Sequence, residues 1–160
     1  DRRFAEAAEL AARYIAAGEI LPRARALILN NLAQALIELG RFAEAHAAAR
    51  AALTALPSLV AMVIDVFASA ALKQGRLADA AVLHGFGDRL RADRDQAPDL
   101  AEAATIAATR LQLQAVLSTV RFEELCRIGA ALSNAEALAL AFQAKSAAPG
   151  SDLHHSLQVD

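Results

Sequence analysis

Histidine and cysteine are the residues of this chain best suited to metal binding or nucleophilic catalysis. The histidines are His46, His84, His154 and His155. None has an acidic or cysteine partner at the spacing of metal ligands. Cys126 is followed by Arg127, which favours a thiolate, but without a histidine-bearing motif we expect Cys126 to be buried between the last two helices. Glycines occur singly, so no phosphate-binding loop is formed. The sequence therefore predicts no catalytic residues, no metal site and no cofactor in this segment, and the chain is not expected to be an enzyme.

The composition is that of a helical chain. It is 56% hydrophobic but only 4% aromatic, and alanine and leucine, both strong helix formers, supply most of the apolar residues. Valine, isoleucine and threonine do not alternate with polar residues, so no strand is predicted. With 160 residues the chain has the length of one domain. The expected fold class is all-α.

Charge and cysteine usage limit the partners and the compartment. The net charge of −2 gives no electrostatic reason to expect direct nucleic-acid contact by this segment. Runs of mixed charge such as 88–95 are typical of a solvated helix face. No apolar run reaches the roughly 18 residues that span a bilayer, so no membrane contact is expected. A single cysteine favours the reducing cytoplasm.

Segment 29–57 predicts two antiparallel helices joined by a tight turn. Leu29, Leu32 and Leu36 form an apolar stripe at helical spacing, and Gly40 ends that helix. The second stripe consists of Phe42, Ala45, Ala49, Ala52 and Leu53. Small residues that permit close helix approach are Ala33, Ala45 and Ala52. Such a hairpin cannot bury its apolar face alone, so it must stack on neighbouring units.

The turn of this hairpin recurs along the chain. Residues 40–45, GRFAEA, are followed 35 residues later by GRLADA at 75–80, and residues 3–7 read RFAEA. This pattern resembles tetratricopeptide repeats, which have a period of roughly 34 residues. The resemblance implies an antiparallel helix-hairpin, right-handed superhelix of about seven or eight helices. The predicted helices span about 2–18, 22–39, 41–56, 58–74, 76–93, 98–118, 120–131 and 134–146.

The C-terminal third carries a second resemblance. Residues 121–125 (RFEEL), 129–133 (GAALS) and 136–141 (EALALA) resemble the closing segment of large bacterial ATP-binding transcriptional regulators of the LuxR or winged-helix type. Ser118 and Cys126 stand where that family has glycine and tryptophan. The resemblance implies a non-catalytic domain that senses a ligand or contacts a protein, with a protein, a peptide or a small-molecule inducer as partner. The alternative is a free-standing adaptor that binds a partner peptide.

The tetratricopeptide resemblance also indicates where a partner would bind. In that family the first helix of each unit lines the concave surface, and the same register assigns candidate binding residues here. They are Asn30, Asn31, Gln34, Glu38, Asp65, Ser69 and Lys73. Asn30, Asn31 and Gln34 form an amide strip able to hydrogen-bond an extended peptide. An ordinary solvated helix face is the alternative interpretation. The clamp by which some members hold an acidic C-terminal tail is not matched, since Asn30, Asp65 and Val66 occupy its positions.

The repeat register predicts the domain boundaries. We expect a repeat domain over residues 1–146 and a flexible tail over 147–160, where Pro149, Gly150 and Ser151 interrupt the helical pattern. Residues 3–7 resemble the second helix of a unit whose first helix is missing, so the segment is expected to belong to a longer protein. This start would expose an apolar edge that invites a homodimer. The edge comprises Phe4, Ala7, Leu10 and Ala11.

Overall fold

Eight α-helices and one short 3-10 helix account for the secondary structure of the part of the chain that is described, and that part contains no strand. The computed structural model describes residues 2–18, 20–95 and 97–143. The helices are α1 (Arg2–Ala16), α2 (Pro22–Glu38), α3 (Phe42–Ala55), α4 (Val60–Lys73), α5 (Leu77–Arg94), α6 (Leu100–Val116), α7 (Thr119–Ala130) and α8 (Asn134–Ala141), with the 3-10 helix Pro57–Leu59 before α4. The prediction of an all-α chain is confirmed. The predicted tail at 147–160, with His154 and His155, lies outside the described residues.

The two turns that share a sequence pattern also share a local structure. Gly40 and Gly75 adopt positive φ angles of 72° and 75°, as the position after a helix end requires. The next residue in each turn, Arg41 or Arg76, donates its backbone N–H to a carbonyl in the last turn of the preceding helix, at 2.8 Å and 2.9 Å. Both arginines then bind the acid three residues later, Glu44 or Asp79. The sequence pattern therefore specifies this turn twice.

Alanine lies at the centre of the packing between successive helices. α2 packs along α3, and α4 packs along α5. Ala33, Ala45, Ala49 and Ala52 are fully buried, as expected for side chains that let two helix backbones approach closely. The largest fully buried side chains belong to α4 and α5, with Leu113 from α6; they are Ile64, Phe67, Leu83 and Phe86. The core therefore centres on the α4–α5 hairpin.

α7 departs from a regular series of hairpins because it packs along α5 and makes few contacts with α6. Two glycines permit this close crossing. A Cβ on Gly85 would lie 2.4 Å from the Cys126 Cα, and a Cβ on Gly129 would lie 1.8 Å from the Val82 carbonyl oxygen. Cys126 consequently lies against α5, with its Sγ 3.6 Å from the Ala81 carbonyl oxygen. The expectation that Cys126 is buried between the last two helices was wrong, because Cys126 packs against α5 and is only half-buried.

The C-terminal helix is fixed at both of its ends. Ser133 and Glu136 form a reciprocal capping box at its start. Helix α8 ends at Ala141 rather than at 146, and residues 144–146 lie outside the described part. The Arg76 guanidinium donates to the carbonyl oxygens of Leu140 and Gln143, at 3.0 Å and 2.8 Å. Arg76 therefore joins the α4–α5 turn to the end of α8.

The start of α6 also differs from the prediction. The helix begins at Leu100 rather than at 98, because the Asp99 carboxylate accepts the backbone N–H of Glu102 at 2.8 Å and acts as the N-cap. Pro98 precedes that cap instead of standing in the first turn. Over residues 2–18, 20–95 and 97–143, none of the helices combines the length and the apolar character needed to cross a bilayer.

Candidate binding site

A small cavity opens where α2, α4 and α6 lie side by side. Its volume is about 120 Å³, and α4 contacts both of the other helices. Four of the predicted binding residues line it: Asn30, Asn31, Gln34 and Asp65. Asn31 is exposed, whereas Asn30 and Asp65 are 3% and 5% exposed. The cavity therefore combines an accessible rim with a buried polar wall.

The other three predicted residues lie away from this cavity. The Lys73 ammonium binds the Glu38 carboxylate at 2.5 Å, joining the C-terminal ends of α4 and α2. Ser69 is half-buried on α4 and does not belong to the cavity lining. Glu38 and Lys73 thus neutralise each other, which favours a structural role for this pair.

Three polar residues at the start of α6, counting its N-cap, complete the cavity and were not among the predicted site residues. They are Asp99, Glu102 and Thr105, and Met62 and Val66 of α4 supply its apolar surface. Asp99 and Glu102 are three residues apart, a spacing that places both on one side of the first helical turn. The sequence signal was the pair of acids after Pro98. These acids were not assigned to the site because the repeated turn pattern does not recur before α6, so the positions of α6 could not be aligned with those of α2 and α4.

Asp65 belongs to a buried ionic network. The Arg91 guanidinium donates to the Asp65 carboxylate, and it also donates to Asp88 at 2.6 Å. Gly87 gives this pair its room, since a Cβ there would lie 2.7 Å from the Asp65 Oδ1. Burial raises the pKa of the Asp65 carboxyl to about 7, against the opposing effect of Arg91. The interpretation of run 88–95 as a solvated face was therefore wrong for Arg91, which is 8% exposed.

Asn30 presents a polar atom without an internal partner. Its amide oxygen is buried, and no residue in the described part of the chain donates a hydrogen bond to it. Buried polar groups are nearly always paired, and an unpaired acceptor costs about 1–3 kcal/mol. Asn30 contributes to the cavity wall, but this oxygen itself has almost no accessible surface and does not open into the cavity.

The Glu102 carboxylate forms no ion pair with a described residue. It stands three residues after the N-cap of α6, where a glutamate can turn back to cap its own helix. Only Asp99 caps this helix, and within the described residues no Arg or Lys nitrogen lies within 4.0 Å of the Glu102 carboxylate. Glu102 is half-buried at the wall of the cavity. This carboxylate is therefore available to a ligand.

The histidines and Cys126 have packing roles in the described part of the chain. His46 contacts the rings of Phe67 and Phe142, with centroids 5.1 Å and 5.5 Å apart. Burial lowers the pKa of His84, whose Nε2 lies 3.4 Å from Asp88, an i+4 acid that sequence inspection overlooked. Burial raises the pKa of the Cys126 thiol to about 11, which opposes the thiolate form. No cluster of three potential metal ligands occurs among the residues described.

A larger and mainly apolar channel of about 640 Å³ lies between α1, α2 and α3. Ala8, Ala12 and Ile15 of α1 face Leu32 and Ala48 across it. Of the predicted apolar edge, Ala7 and Leu10 are exposed, whereas Phe4 and Ala11 are half-buried. The channel has few polar groups to orient a ligand, so the cavity between α2, α4 and α6 is the stronger candidate for specific recognition.

No protein-family model, curated protein or solved structure matches this chain. The case for a function therefore rests on the geometry of the cavity and on the sequence pattern.

Proposed function

We propose that this chain is a non-catalytic helical-repeat domain that binds a protein or peptide segment on the face formed by α2, α4 and α6. The observation that carries the proposal is the cavity itself. Asn30, Asn31 and Gln34 on α2 face Asp65 on α4 across a space of about 120 Å³. The set offers both donors and acceptors, as recognition of an extended backbone requires.

The proposed architecture is a tetratricopeptide-like right-handed superhelix with this face on its concave side. The repeated turn at Gly40 and Gly75 supports this, as does the adjacency of the first helices α2, α4 and α6. In such arrays each unit contacts its neighbours, and an extended surface results for holding a partner. The packing of α7 on α5 would then close the series.

The proposed biological setting is the sensing region of a cytoplasmic bacterial ATP-dependent transcriptional regulator. Segments 121–125, 129–133 and 136–141 carry that proposal through their resemblance to the closing segment of such regulators. Binding of a protein or a small-molecule inducer would change the contacts of this domain with an upstream nucleotide-binding module. Sequencing the parent gene tests the setting: nucleotide-binding and DNA-binding domains upstream would support it, and their absence would contradict it.

The binding face can be tested without knowing the natural partner. A displayed library of random peptides is selected on the immobilised chain, and the affinities of the selected peptides are measured for wild type, Asn31→Ala and Gln34→Ala. Both variants should weaken binding and leave thermal stability nearly unchanged, because Asn31 is exposed and Gln34 is half-buried. Gln112→Ala, an exposed position on α6, is the matched control. Unaltered affinity in both test variants would contradict the proposal.

A free-standing adaptor is the second candidate, and it uses the same face. It differs in having no upstream regulatory domains, so the parent gene distinguishes the two. Self-association through the exposed edge at Ala7 and Leu10 stays a prediction. Sedimentation of the purified wild-type chain and of Leu10→Glu would test it, since the substitution should reduce any dimer.

A further inference from the structure

The end of α8 is enclosed by aromatic and basic side chains of α3 and α4. Phe142, the residue directly after α8, packs edge-on against Phe67 of α4, with ring centroids 5.1 Å apart. The imidazole of His46 on α3 lies against both phenylalanine rings, at 5.1 Å and 5.5 Å. The Arg50 guanidinium, also on α3, lies 4.4 Å from the centroid of the Phe142 ring. A titratable ring is therefore part of the contact that docks α8.

Arg76 holds the same end of α8 through its backbone. The guanidinium donates to the carbonyl oxygens of Leu140 and Gln143, at 3.0 Å and 2.8 Å. α8 is only eight residues long and buries two alanines, Ala137 and Ala141. Isolated helices shorter than about 12–15 residues are marginal in water, so α8 depends on its contacts with the rest of the chain. Loss of the contacts at its end would therefore free this end from α3 and α4.

Both charges that face His46 are positive. Arg50 lies one turn further along α3, and Arg76 comes from the turn between α4 and α5; each opposes a positive charge on the imidazole. α4 and the end of α8 present only the rings of Phe67 and Phe142 to it. Among the residues described, no carboxylate oxygen lies within 4.0 Å of a His46 ring nitrogen, and Arg50 forms no ion pair.

The other charged residues near this cluster, or on the elements that pack around it, have partners of their own. They are Glu44 with Arg41, Asp65 with Arg91, Lys73 with Glu38, Asp79 with Arg76, and Glu136 with Ser133. A proton on His46 would therefore meet two guanidinium groups and no free carboxylate.

This environment makes the docked arrangement favour the neutral imidazole. Burial, followed by Arg50 and Arg76, lowers the pKa of His46 below its usual 6.5. When the end of α8 moves away, the ring gains water and its pKa rises towards that usual value. Above pH 6.5 the ring is neutral in both arrangements, so docking does not depend on pH there. As the pH falls below 6.5, the open arrangement binds protons more readily, and docking is weakened.

We propose that residues 140–143 form a pH-sensitive latch, which is docked on α3 and α4 while His46 is neutral and is released by mild acidification. Release uncovers the ring of Phe67, which is 1% exposed when the latch is docked. The acidified chain thereby gains an apolar surface between α3 and α4. The proposal is independent of the binding face formed by α2, α4 and α6.

Amide hydrogen exchange of the ¹⁵N-labelled chain measures the docking. Protection factors of the Ala141 and Phe142 amides are compared with those of α3 amides at about pH 7.5 and about pH 5.5, on either side of the ordinary histidine pKa. In wild type the relative protection of the α8 amides should fall several-fold at the lower pH. In His46→Phe, whose ring fills the same space but takes up no proton, the relative protection should be equal at the two pH values.

A second variant tests the charges without altering the ring. Arg50→Gln removes one of the two cations, so the loss of protection on acidification should be smaller than in wild type. Arg127→Gln, which removes an exposed arginine of α7, is the matched control and should behave as wild type does. Thermal unfolding verifies that all three variants fold.

Equal relative protection of the α8 amides at the two pH values in wild type would overturn the proposal. A loss that persists unchanged in His46→Phe or in Arg50→Gln would also overturn it. A loss shared equally by α3, α5 and α8 would show that acidification acts on the whole fold, through a group such as the buried His84, and would reject the latch.

Discussion

Glu102 and Glu136 occupy the same position, three residues after the N-cap, in α6 and α8, yet only the Glu136 carboxylate turns back to its own helix. It accepts the Ser133 backbone N–H at 2.8 Å and the Ser133 hydroxyl at 2.7 Å. In α6 the capping is done by Asp99, which accepts the Glu102 backbone N–H. The Glu102 side chain is thereby left at the wall of the cavity, where a ligand can use it.

This difference predicts that Glu136→Gln lowers stability more than Glu102→Gln does. Hydrogen bonds from Ser133 lower the pKa of Glu136 below its usual 4.5. The stability it contributes is therefore present above pH 4.5 and is lost as the pH falls through the lowered value. Urea denaturation of wild type and Glu136→Gln at decreasing pH should show the two stabilities converging in acid. A difference in free energy of unfolding between the two proteins that persists or grows at acidic pH would contradict the capping role.

For the buried carboxyl of Asp65 we predict a stability contribution whose dependence on pH has the opposite sign. Its pKa is raised from 3.8 to about 7 by burial, with Arg91 opposing and Glu102 and Asp88 adding to the shift. Between these values the folded chain binds more protons than the unfolded chain, so the stability contributed by Asp65 falls as the pH rises. The difference in free energy of unfolding between wild type and Asp65→Asn should decrease across this range.

Urea denaturation of both proteins over the same pH range measures that difference. His46 and His84, whose pKa values are lowered by burial, are present in both proteins, so their titration largely cancels. A difference that is flat, or that grows with pH, would show that Asp65 is not held in the low-polarity environment described.

The crossing of α5 and α7 predicts that two glycines cannot be enlarged. In an unobstructed helix Gly→Ala usually stabilises, by about 0.4–1 kcal/mol. Gly85→Ala and Gly129→Ala should instead destabilise by roughly 1–3 kcal/mol or more, because each Cβ would meet backbone atoms of the other helix. Gly87→Ala is the comparison, since its Cβ would meet the Asp65 side chain, which can move. Stabilisation by Gly85→Ala in thermal or urea unfolding would rule out the close crossing.

Arg76 and Arg41 hold the same position in the two equivalent turns, but only Arg76 also binds the end of α8. Arg76→Ala should destabilise the chain by about 2 kcal/mol, since a partly buried charged donor is lost. It should also speed amide hydrogen exchange in α8. Arg41→Ala should have little effect, because its ion pair with Glu44 is exposed. Equal effects of the two variants would contradict the role of Arg76 at α8.

Local features of the fold were predictable from the sequence. Gly40 and Gly75 and the alanines between α2 and α3 act over a few residues or one helix face, and each appears in the structure as expected. The packing of α7 on α5 was not predictable, since Gly85 and Gly129 are distant in the chain and only the fold brings them together.

The candidate site was predictable in part for the same reason. Helical register brought Asn30, Asn31, Gln34 and Asp65 to one cavity. It could not reveal that Lys73 neutralises Glu38, because that contact joins two helices. Arg91 lies in a run of charges that resembles a solvated surface, and its contact with Asp65 joins two helices beside Gly87.

The central claim is that α2, α4 and α6 form one binding face, and amide resonances of the ¹⁵N-labelled chain test it most directly. A library-selected peptide should shift resonances of Asn31 and Gln34 on α2, Met62 on α4 and Glu102 on α6 together, with one common affinity. Shifts confined to the apolar channel between α1, α2 and α3, with these four resonances unmoved, would contradict the account.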